Sequence, residues 1–362
     1  MADGSEELVL NALGALLEFL QVTPQAKKVW FEGGFAKRTQ ILGVLYVLDV
    51  EPKYCQVPAD KVQRTTALGD RVARMAWVPA DLCQELMGLL IFHGRVLLSA
   101  KWHLPFTVRG AAVAATHGVA PMTEAWRTEL AWWRKLLTEW NCVALLVPHR
   151  YIEWKQEPFL TPMTDASRSK SKGTGAAGAM FGKWYQHWDF SAQEIQELHI
   201  MELEGVALVV WLRFLCSEPE AVALLKGRRF LMRCDNDPFV KTVNRRHSTY
   251  PSVAFLLGEI HHLMAVHSFD LRLEYINTKL NIGADALSRH RPVEYFEYMR
   301  EEFEMDASDL VCVPVQNDYR SLVTSTMMSL KRSASLTQKP PRQDSAVRQG
   351  NGSSSADGQG AR

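Results

Sequence analysis

Four acidic side chains, widely separated in the chain, are the residues best suited to chemistry. They are Asp165, Glu202, Asp235 and Asp285. Carboxylate oxygens are hard ligands, which suit Mg²⁺ or Mn²⁺ better than zinc. Two such ions held ~3.5–4 Å apart can together activate a water molecule and stabilise the leaving oxygen of a phosphodiester. If the fold gathers these carboxylates, the sequence predicts a site for two Mg²⁺ or Mn²⁺ ions.

Each of these acids also has a simpler interpretation when it is taken alone. An aspartate that follows a strand is commonly a turn former. Glu202 is less ordinary, because it lies in a helical pattern with Leu198 and Val206 one turn on either side. Unpaired charges avoid such apolar stripes. Glu202 is therefore either a side chain that reaches solvent from the edge of the stripe or a carboxylate held beside a metal at the rim of a sheet.

The elements that would carry these acids alternate between strand and helix patterns. Three predicted strands come first, and helices then alternate with two further strands. This order is typical of an α/β domain with a mixed five-stranded sheet and flanking helices. The predicted strands lie near 159–165, 176–183, 185–190, 229–235 and 270–276, and the predicted helices near 194–217, 237–245, 250–267 and 283–289.

The order and surroundings of the four acids resemble the RNase H domain of retroelement polyproteins. The closest subgroup is that of the tyrosine-recombinase (DIRS-like) retrotransposons, whose linker is similar to the segment that holds Trp132, Trp133 and Trp140. The resemblance covers about residues 5–290 and is strongest over 128–290. It is carried by T-D-A-S at 164–167, a glycine-rich turn at 173–178, the tryptophans 184 and 188, the H-I helix start at 199–200, C-D-N at 234–236 and A-D-A-L-S-R at 284–289.

The resemblance implies an RNase H-like fold and a ribonuclease H-type endonuclease, a hydrolase that cuts the RNA strand of an RNA–DNA hybrid. Asp165 and Asp235 would hold the two metal ions most directly. Glu202 would complete one coordination sphere and help to orient the scissile phosphate, and Asp285 would complete the other sphere.

Polar and basic residues beside two of the aspartates are candidates for binding the nucleic acid. The loop after Asp165 could meet the phosphate backbone, and a solvated basic loop is an equally good interpretation. The asparagine after Asp235 could make a polar contact, or it could be an ordinary turn residue. The candidates are Ser167, Arg168, Lys170, Lys172 and Asn236.

The N-terminal part resembles the end of a reverse transcriptase. A predicted helix that begins at Ser5, the pair Lys27 and Lys28, and a predicted strand over 39–50 are similar to the end of the polymerase palm. The Y-x-D-D motif is absent, so we expect no polymerase activity from this chain. The mainly helical segment that follows is similar to the thumb and connection.

These patterns predict five segments. The tail is rich in Ser, Gln, Gly, Pro and Arg, which favours disorder. The segments are a remnant of the palm at 1–57, a helical thumb/connection-like region at 58–156, the RNase H-like domain at 157–291, a short helical extension at 292–316 and a disordered tail at 317–362.

Composition limits the partners and the compartment. A formal net charge of +1 gives no global attraction to nucleic acid, so any such binding is local. Six scattered cysteines without paired spacing indicate free thiols, no zinc site and a reducing compartment, cytoplasmic or nuclear. The longest apolar run, 203–216, is too short to cross a membrane.

A second class of function remains open at this point. The chain could be a catalytically inactive retroelement remnant that acts as a scaffold or as a nucleic-acid-binding module. The presence of all four acids argues for an intact site, and the missing Y-x-D-D motif argues for a fragment. Whether the chain works alone or beside a separate polymerase subunit is also open.

Overall fold

The computed structural model describes residues 38–41, 43–47, 54–97, 100, 102–140, 143–145 and 162–337. The predicted helix from Ser5, most of the predicted palm remnant and the tail from residue 338 onward lie outside the described residues.

The earlier described residues form a small antiparallel sheet and a group of helices. The strands β1, β2, β3 and β6 are neighbours in that order. Where the sequence predicted one strand over 39–50, β1 and β2 form a hairpin whose turn holds Gly43 at a φ of +83°, a conformation that glycine adopts readily. The elements are β1 (Arg38–Ile41), β2 (Val44–Val47), β3 (Tyr54–Gln56), α1 (Ala59–Ala73), β4 (Trp77–Pro79), α2 (Ala80–Val96), α3 (Pro105–His117), β5 (Val119–Pro121), α4 (Glu124–Glu139) and β6 (Val143–Leu145).

The later described residues form one mixed sheet in the strand order β11–β10–β7–β8–β9–β12. The first three strands along the chain are antiparallel, and β10 and β11 run parallel to β7. This confirms the predicted α/β domain with a mixed sheet. A sixth strand, β12, comes from the predicted extension and pairs with β9. The strands are β7 (Met163–Ala166), β8 (Ala176–Phe181), β9 (Trp184–Asp189), β10 (Arg229–Cys234), β11 (Asp270–Tyr275) and β12 (Val311–Cys312).

Helices flank this sheet. The helix α6 is buried almost all round, as expected for a helix between a sheet and other helices. A second core contains Met163 and Met180 of the sheet and Tyr295 and Met299 of α11. The helices are α5 (Ala192–Glu197), α6 (Ile200–Leu215), α7 (Pro219–Leu225), α8 (Asp237–Arg245), α9 (Pro251–Val266), α10 (Ile282–Ser288), α11 (Pro292–Phe303) and α12 (Asn317–Thr337).

The single helix predicted over 194–217 is two helices, α5 and α6. The break lies at Leu198 and His199, and each helix begins with a capping box. In α6, the ring of His199 accepts a hydrogen bond from the Met201 amide, and the Glu202 carboxylate accepts one from the His199 amide. Both interactions satisfy amide groups that a helix start leaves without partners.

The structure differs from the prediction of a disordered tail at 317–337. This segment is the helix α12. Val323 and Met327, one turn apart, are buried together with Met328 in the core that contains α6 and α9. The overall polar composition concealed this narrow apolar face, which has helical spacing.

The helical lobe, which is the described part of 38–145, contacts the sheet domain, residues 162–337, through α4 and α9. The indole Nε1 of Trp132 donates to the backbone oxygen of Gly258 at 3.0 Å, and Nε2 of His103 lies 2.9 Å from Nδ1 of His261. Trp132 also stacks on His103, with ring centroids 3.8 Å apart.

Of the helices in the described ranges, none has both the length and the apolar character that a membrane span requires.

Candidate metal site and active site

Asp165 and Asp235 lie side by side at one end of the sheet because β7 and β10 are parallel neighbours. Met163 pairs with Arg233, so the residues two positions further along each strand also meet. Glu204 reaches the same place from α6. Carboxylate oxygens of Asp165, Glu204 and Asp235 all lie within 4.8 Å of one another.

Asp165 is a buried member of this cluster and is 4% exposed. Its carboxylate accepts a hydrogen bond from the hydroxyl of Ser288, which belongs to the A-D-A-L-S-R sequence. Burial, with the nearby charges of Asp235 and Asp285, raises the pKa of Asp165 to about 7 although the Ser288 hydrogen bond opposes this. The site therefore holds negative charge against a clear electrostatic cost.

Glu204 is 2% exposed, so its charged form is also electrostatically unfavourable. Burial raises its pKa well above the usual range, and the charges of Asp165 and Asp235 raise it further. A hydrogen bond from the backbone of Ala166 acts in the opposite direction. Glu204 is thus a buried acid whose charged form is favoured when a cation binds nearby.

The three side chains fit a divalent metal. They offer hard oxygen ligands, which Mg²⁺ and Mn²⁺ prefer. Their mutual repulsion and their burial both disfavour the charged forms, and a bound cation would relieve both effects. Asp165, Glu204 and Asp235 can therefore hold such an ion.

The structure does not bring Glu202 to this cluster, contrary to the sequence-based expectation. Its carboxylate accepts hydrogen bonds from the His199 amide at 2.6 Å, from the Ser252 hydroxyl at 2.5 Å and from the Lys331 ammonium at 2.6 Å. Burial alone would raise the pKa of Glu202, but these three partners lower it below its usual value. Glu202 therefore stabilises the helix start, and Glu204 takes the place near the two aspartates.

Asp285 lies beside the cluster, close enough that its charge raises the pKa of Asp165. Both of its oxygens are paired with arginines: Oδ1 lies 2.6 Å from Nε of Arg289, and Oδ2 bonds Arg291. Hydrogen bonding to Asp285 raises the pKa of Arg289, with smaller contributions from Asp165 and Asp235. Asp285 thus borders the three-carboxylate cluster as the acid of an ion-pair network.

Three of the five predicted nucleic-acid contacts are engaged within the protein. Ser167 donates to the backbone oxygen of Ser288 at 2.7 Å, and Nε of Arg168 donates to that of Ile195 at 3.0 Å. Asn236 caps α8 by accepting from the Phe239 amide at 3.1 Å, which is the turn role considered as the alternative. The side chains of Lys170 and Lys172 are exposed.

Glu204 was not predicted from the sequence, and Ser288 and Gly178 were noted only as members of A-D-A-L-S-R and of the glycine-rich segment, without their contacts. Gly178 allows the close approach of α10 to β8, since a Cβ there would lie 2.4 Å from the backbone oxygen of Ala284. The available signal was the H-x-x-E spacing at 199–202, which is the spacing of a capping box. A capping box would engage Glu202 at the helix start and leave Glu204 as the candidate metal ligand.

Solved structures that are similar to this chain include an RNase H1 and a foamy viral protein. No protein-family model and no curated protein match it. RNase H1 from the halophilic archaeon Halobacterium salinarum is 15% identical, with a TM-score of 0.27, over 37% of this chain and 97% of that one. The foamy viral protease-reverse transcriptase dRH in complex with ds DNA is 12% identical, with a TM-score of 0.25, over 68% of this chain and 38% of that one.

Proposed function

We propose that this chain is a metal-dependent endonuclease of the ribonuclease H type, which hydrolyses the RNA strand of RNA–DNA hybrids. The observation that carries the proposal is the convergence of Asp165, Glu204 and Asp235, which come from a strand, a helix and a second strand. The hydrogen bond from Ser288 links the A-D-A-L-S-R sequence to the same cluster.

In this proposal the chain's own residues hold the metal and the substrate. Asp165, Glu204 and Asp235 would hold Mg²⁺ or Mn²⁺. Asp285 would border this site, with its oxygens on Arg289 and Arg291. A bound ion of this kind supplies Lewis-acid stabilisation and lowers the pKa of a water molecule. The exposed Lys170 and Lys172 attract the phosphate backbone.

We also propose that the chain derives from a reverse transcriptase of a DIRS-like retroelement. The segment 58–156 would correspond to the thumb and connection, and the segment 157–291 to the RNase H domain. The motifs at 164–167, 234–236 and 284–289 support this origin. We expect no polymerase activity, because no Y-x-D-D motif is present; primer extension by the full chain would contradict this expectation.

Hybrid cleavage by the purified full chain tests the activity, with Mg²⁺ or Mn²⁺ and with EDTA. The test variant is Asp235→Asn, and the matched control is Asp237→Asn, whose carboxylate lies at the surface and pairs with Lys241 at 2.5 Å. Loss of a group that merely supports a ligand already costs about 10–100-fold in affinity or activity, so Asp235→Asn should cost about 100-fold or more. The control should cleave like the wild type.

Two outcomes would count against the proposal. Equal cleavage by wild type and Asp235→Asn would contradict the metal-binding role of Asp235. If the wild type binds the hybrid but does not cleave it, the result would favour the inactive nucleic-acid-binding module instead.

A further inference from the structure

The C-terminal helix α12 contacts the start of α6, the helix that carries Glu204. The ammonium of Lys331 lies 2.6 Å from the backbone oxygen of Glu197 and 2.6 Å from Oε2 of Glu202. Glu197 is the last residue of α5, where a helix leaves backbone carbonyls without intrahelical partners. Lys331 therefore joins the end of α5 to the first turn of α6 across the break between them.

The carboxylate of Glu202 is the point where several elements meet. Its side chain is 6% exposed, whereas that of Lys331 is 40% exposed. The other oxygen, Oε1, accepts from the hydroxyl of Ser252 in the first turn of α9. Glu202 is the buried member of this half-exposed pair, so removal of the ammonium would leave a buried carboxylate with less compensation for its charge. Lys331 thus helps to hold Glu202 in its present position, together with the His199 amide and the Ser252 hydroxyl.

The position of Glu202 bears directly on Glu204, two residues further along the same helix. A catalytic or metal-binding group has to be held within about 0.5 Å of its productive place by the residues around it. We propose that Lys331 is a positioning residue: by holding Glu202, it sets the place of the Glu204 carboxylate relative to Asp165 and Asp235. This inference rests on the proposed metal site.

The helix α12, which would position the metal site through Lys331, lies outside the segment that resembles RNase H. That resemblance ends near residue 290, and Lys331 lies on α12, after the strand β12. The metal affinity of this chain therefore depends on the helix α12.

The test compares Lys331→Met with Arg332→Met in the full chain. Arg332 is the neighbouring residue and bonds the Glu197 carboxylate at the surface, at 2.5 Å, with a side chain that is 59% exposed. Binding of Mn²⁺ is measured directly from the EPR signal of the free ion, and hybrid cleavage is measured against Mg²⁺ concentration. Supporting groups of metal sites contribute about 10–100-fold to affinity, so Lys331→Met should weaken Mn²⁺ binding by about 10-fold.

The remaining expectations separate positioning from other roles. Lys331→Met should lower kcat and leave KM for the hybrid unchanged, and Lys331→Arg should restore most of the Mn²⁺ affinity. Arg332→Met should bind Mn²⁺ like the wild type. Equal Mn²⁺ affinity in Lys331→Met and Arg332→Met would overturn the inference, as would a change in KM alone, which would make Lys331 a contact to the substrate.

If Lys331→Met does not fold, the double variant Glu202→Gln/Lys331→Met replaces it, because it leaves no buried charge unpaired. It should also bind Mn²⁺ about 10-fold more weakly than Arg332→Met, and equal binding would again overturn the inference. The Mn²⁺ measurement does not need turnover. A wild type that binds Mn²⁺ without cleaving the hybrid would refute the proposed activity and still allow the role of Lys331 to be decided.

Discussion

The hydroxyl of Ser288 donates a hydrogen bond to the buried carboxylate of Asp165, although the two residues are 123 positions apart in the chain. The backbone oxygen of Ser288 in turn accepts from the hydroxyl of Ser167. In addition, the side-chain amide of the buried Asn281 donates to the backbone oxygen of Thr164 at 3.3 Å. The helix α10 is thereby joined to the strand that carries Asp165 on both sides of that residue.

Replacing Ser288 with Ala should weaken metal binding. The variant loses the hydroxyl that orients the Asp165 carboxylate, and loss of such supporting groups costs about 10-fold or more in metal affinity. The free energy of unfolding should also fall by about 1–3 kcal/mol, since a buried carboxylate loses a hydrogen bond. Mn²⁺ titration and urea unfolding measure the two effects. Ser171→Ala, in the exposed loop, is the control, and unchanged Mn²⁺ affinity in Ser288→Ala would refute this role.

Glu204→Gln and Glu202→Gln should have opposite effects on the metal-free protein. Glu204 is crowded by Asp165 and Asp235, so the neutral amide relieves repulsion and should leave the free energy of unfolding in EDTA equal or higher. Glu202 is held by favourable partners, and its neutralisation should lower that free energy by about 2 kcal/mol. Urea unfolding in EDTA measures both. The same destabilisation in the two variants would show that these roles are assigned wrongly.

Replacing Gly178 with Ala should displace α10 from the sheet. The new Cβ would lie 2.4 Å from the Ala284 oxygen and 2.6 Å from the Ser288 amide nitrogen. Overpacking of this kind costs about 1–3 kcal/mol of unfolding free energy. Gly69→Ala is the control, because a Cβ there meets nothing within 4 Å in the middle of α1, and it should stabilise by about 0.5–1 kcal/mol. Urea unfolding measures both free energies, and a Gly178→Ala variant that is more stable than Gly69→Ala would contradict this prediction.

The buried His93 should make the helical lobe less stable in acid. Burial lowers the pKa of His93 from the ordinary 6.5 to about 4, so the folded state keeps the ring neutral while the unfolded chain takes up a proton below pH 6.5. The stability contribution is therefore fully present above pH 6.5 and is lost as the pH falls towards 4. Between pH 7 and pH 5 the loss should be about 2 kcal/mol.

Urea unfolding of the wild type and of His93→Gln over this pH range checks the prediction. Nε2 of His93 lies 2.8 Å from the hydroxyl of Thr65, and the amide of a glutamine is long enough to reach the same position. Other buried histidines, such as His261, also favour the neutral form because burial lowers the pKa, and they contribute in both proteins. The difference between the two curves isolates His93, and parallel curves would contradict its assignment.

Local patterns in the sequence were sufficient to predict the strands of the sheet and to select two of the three clustered acids, Asp165 and Asp235. The change of alternation from residue 158 onward predicted the five main strands within a few residues in the described part of the chain, because strand signals are short and do not depend on distant contacts. The places of Asp165 and Asp235 at the ends of parallel neighbouring strands follow from the strand order.

The choice between Glu202 and Glu204 was decided by the tertiary structure. The helix that carries them is buried almost all round, so an apolar stripe could not show which acid faces the sheet. Two positions on a helix differ by roughly 200° around its axis, so only one of the two side chains can face the aspartates. The orientation depends on the break at His199 and on contacts from Ser252 and Lys331, which lie 50 and 129 positions away from Glu202. No local pattern contains such contacts, because they exist only after the helices have packed.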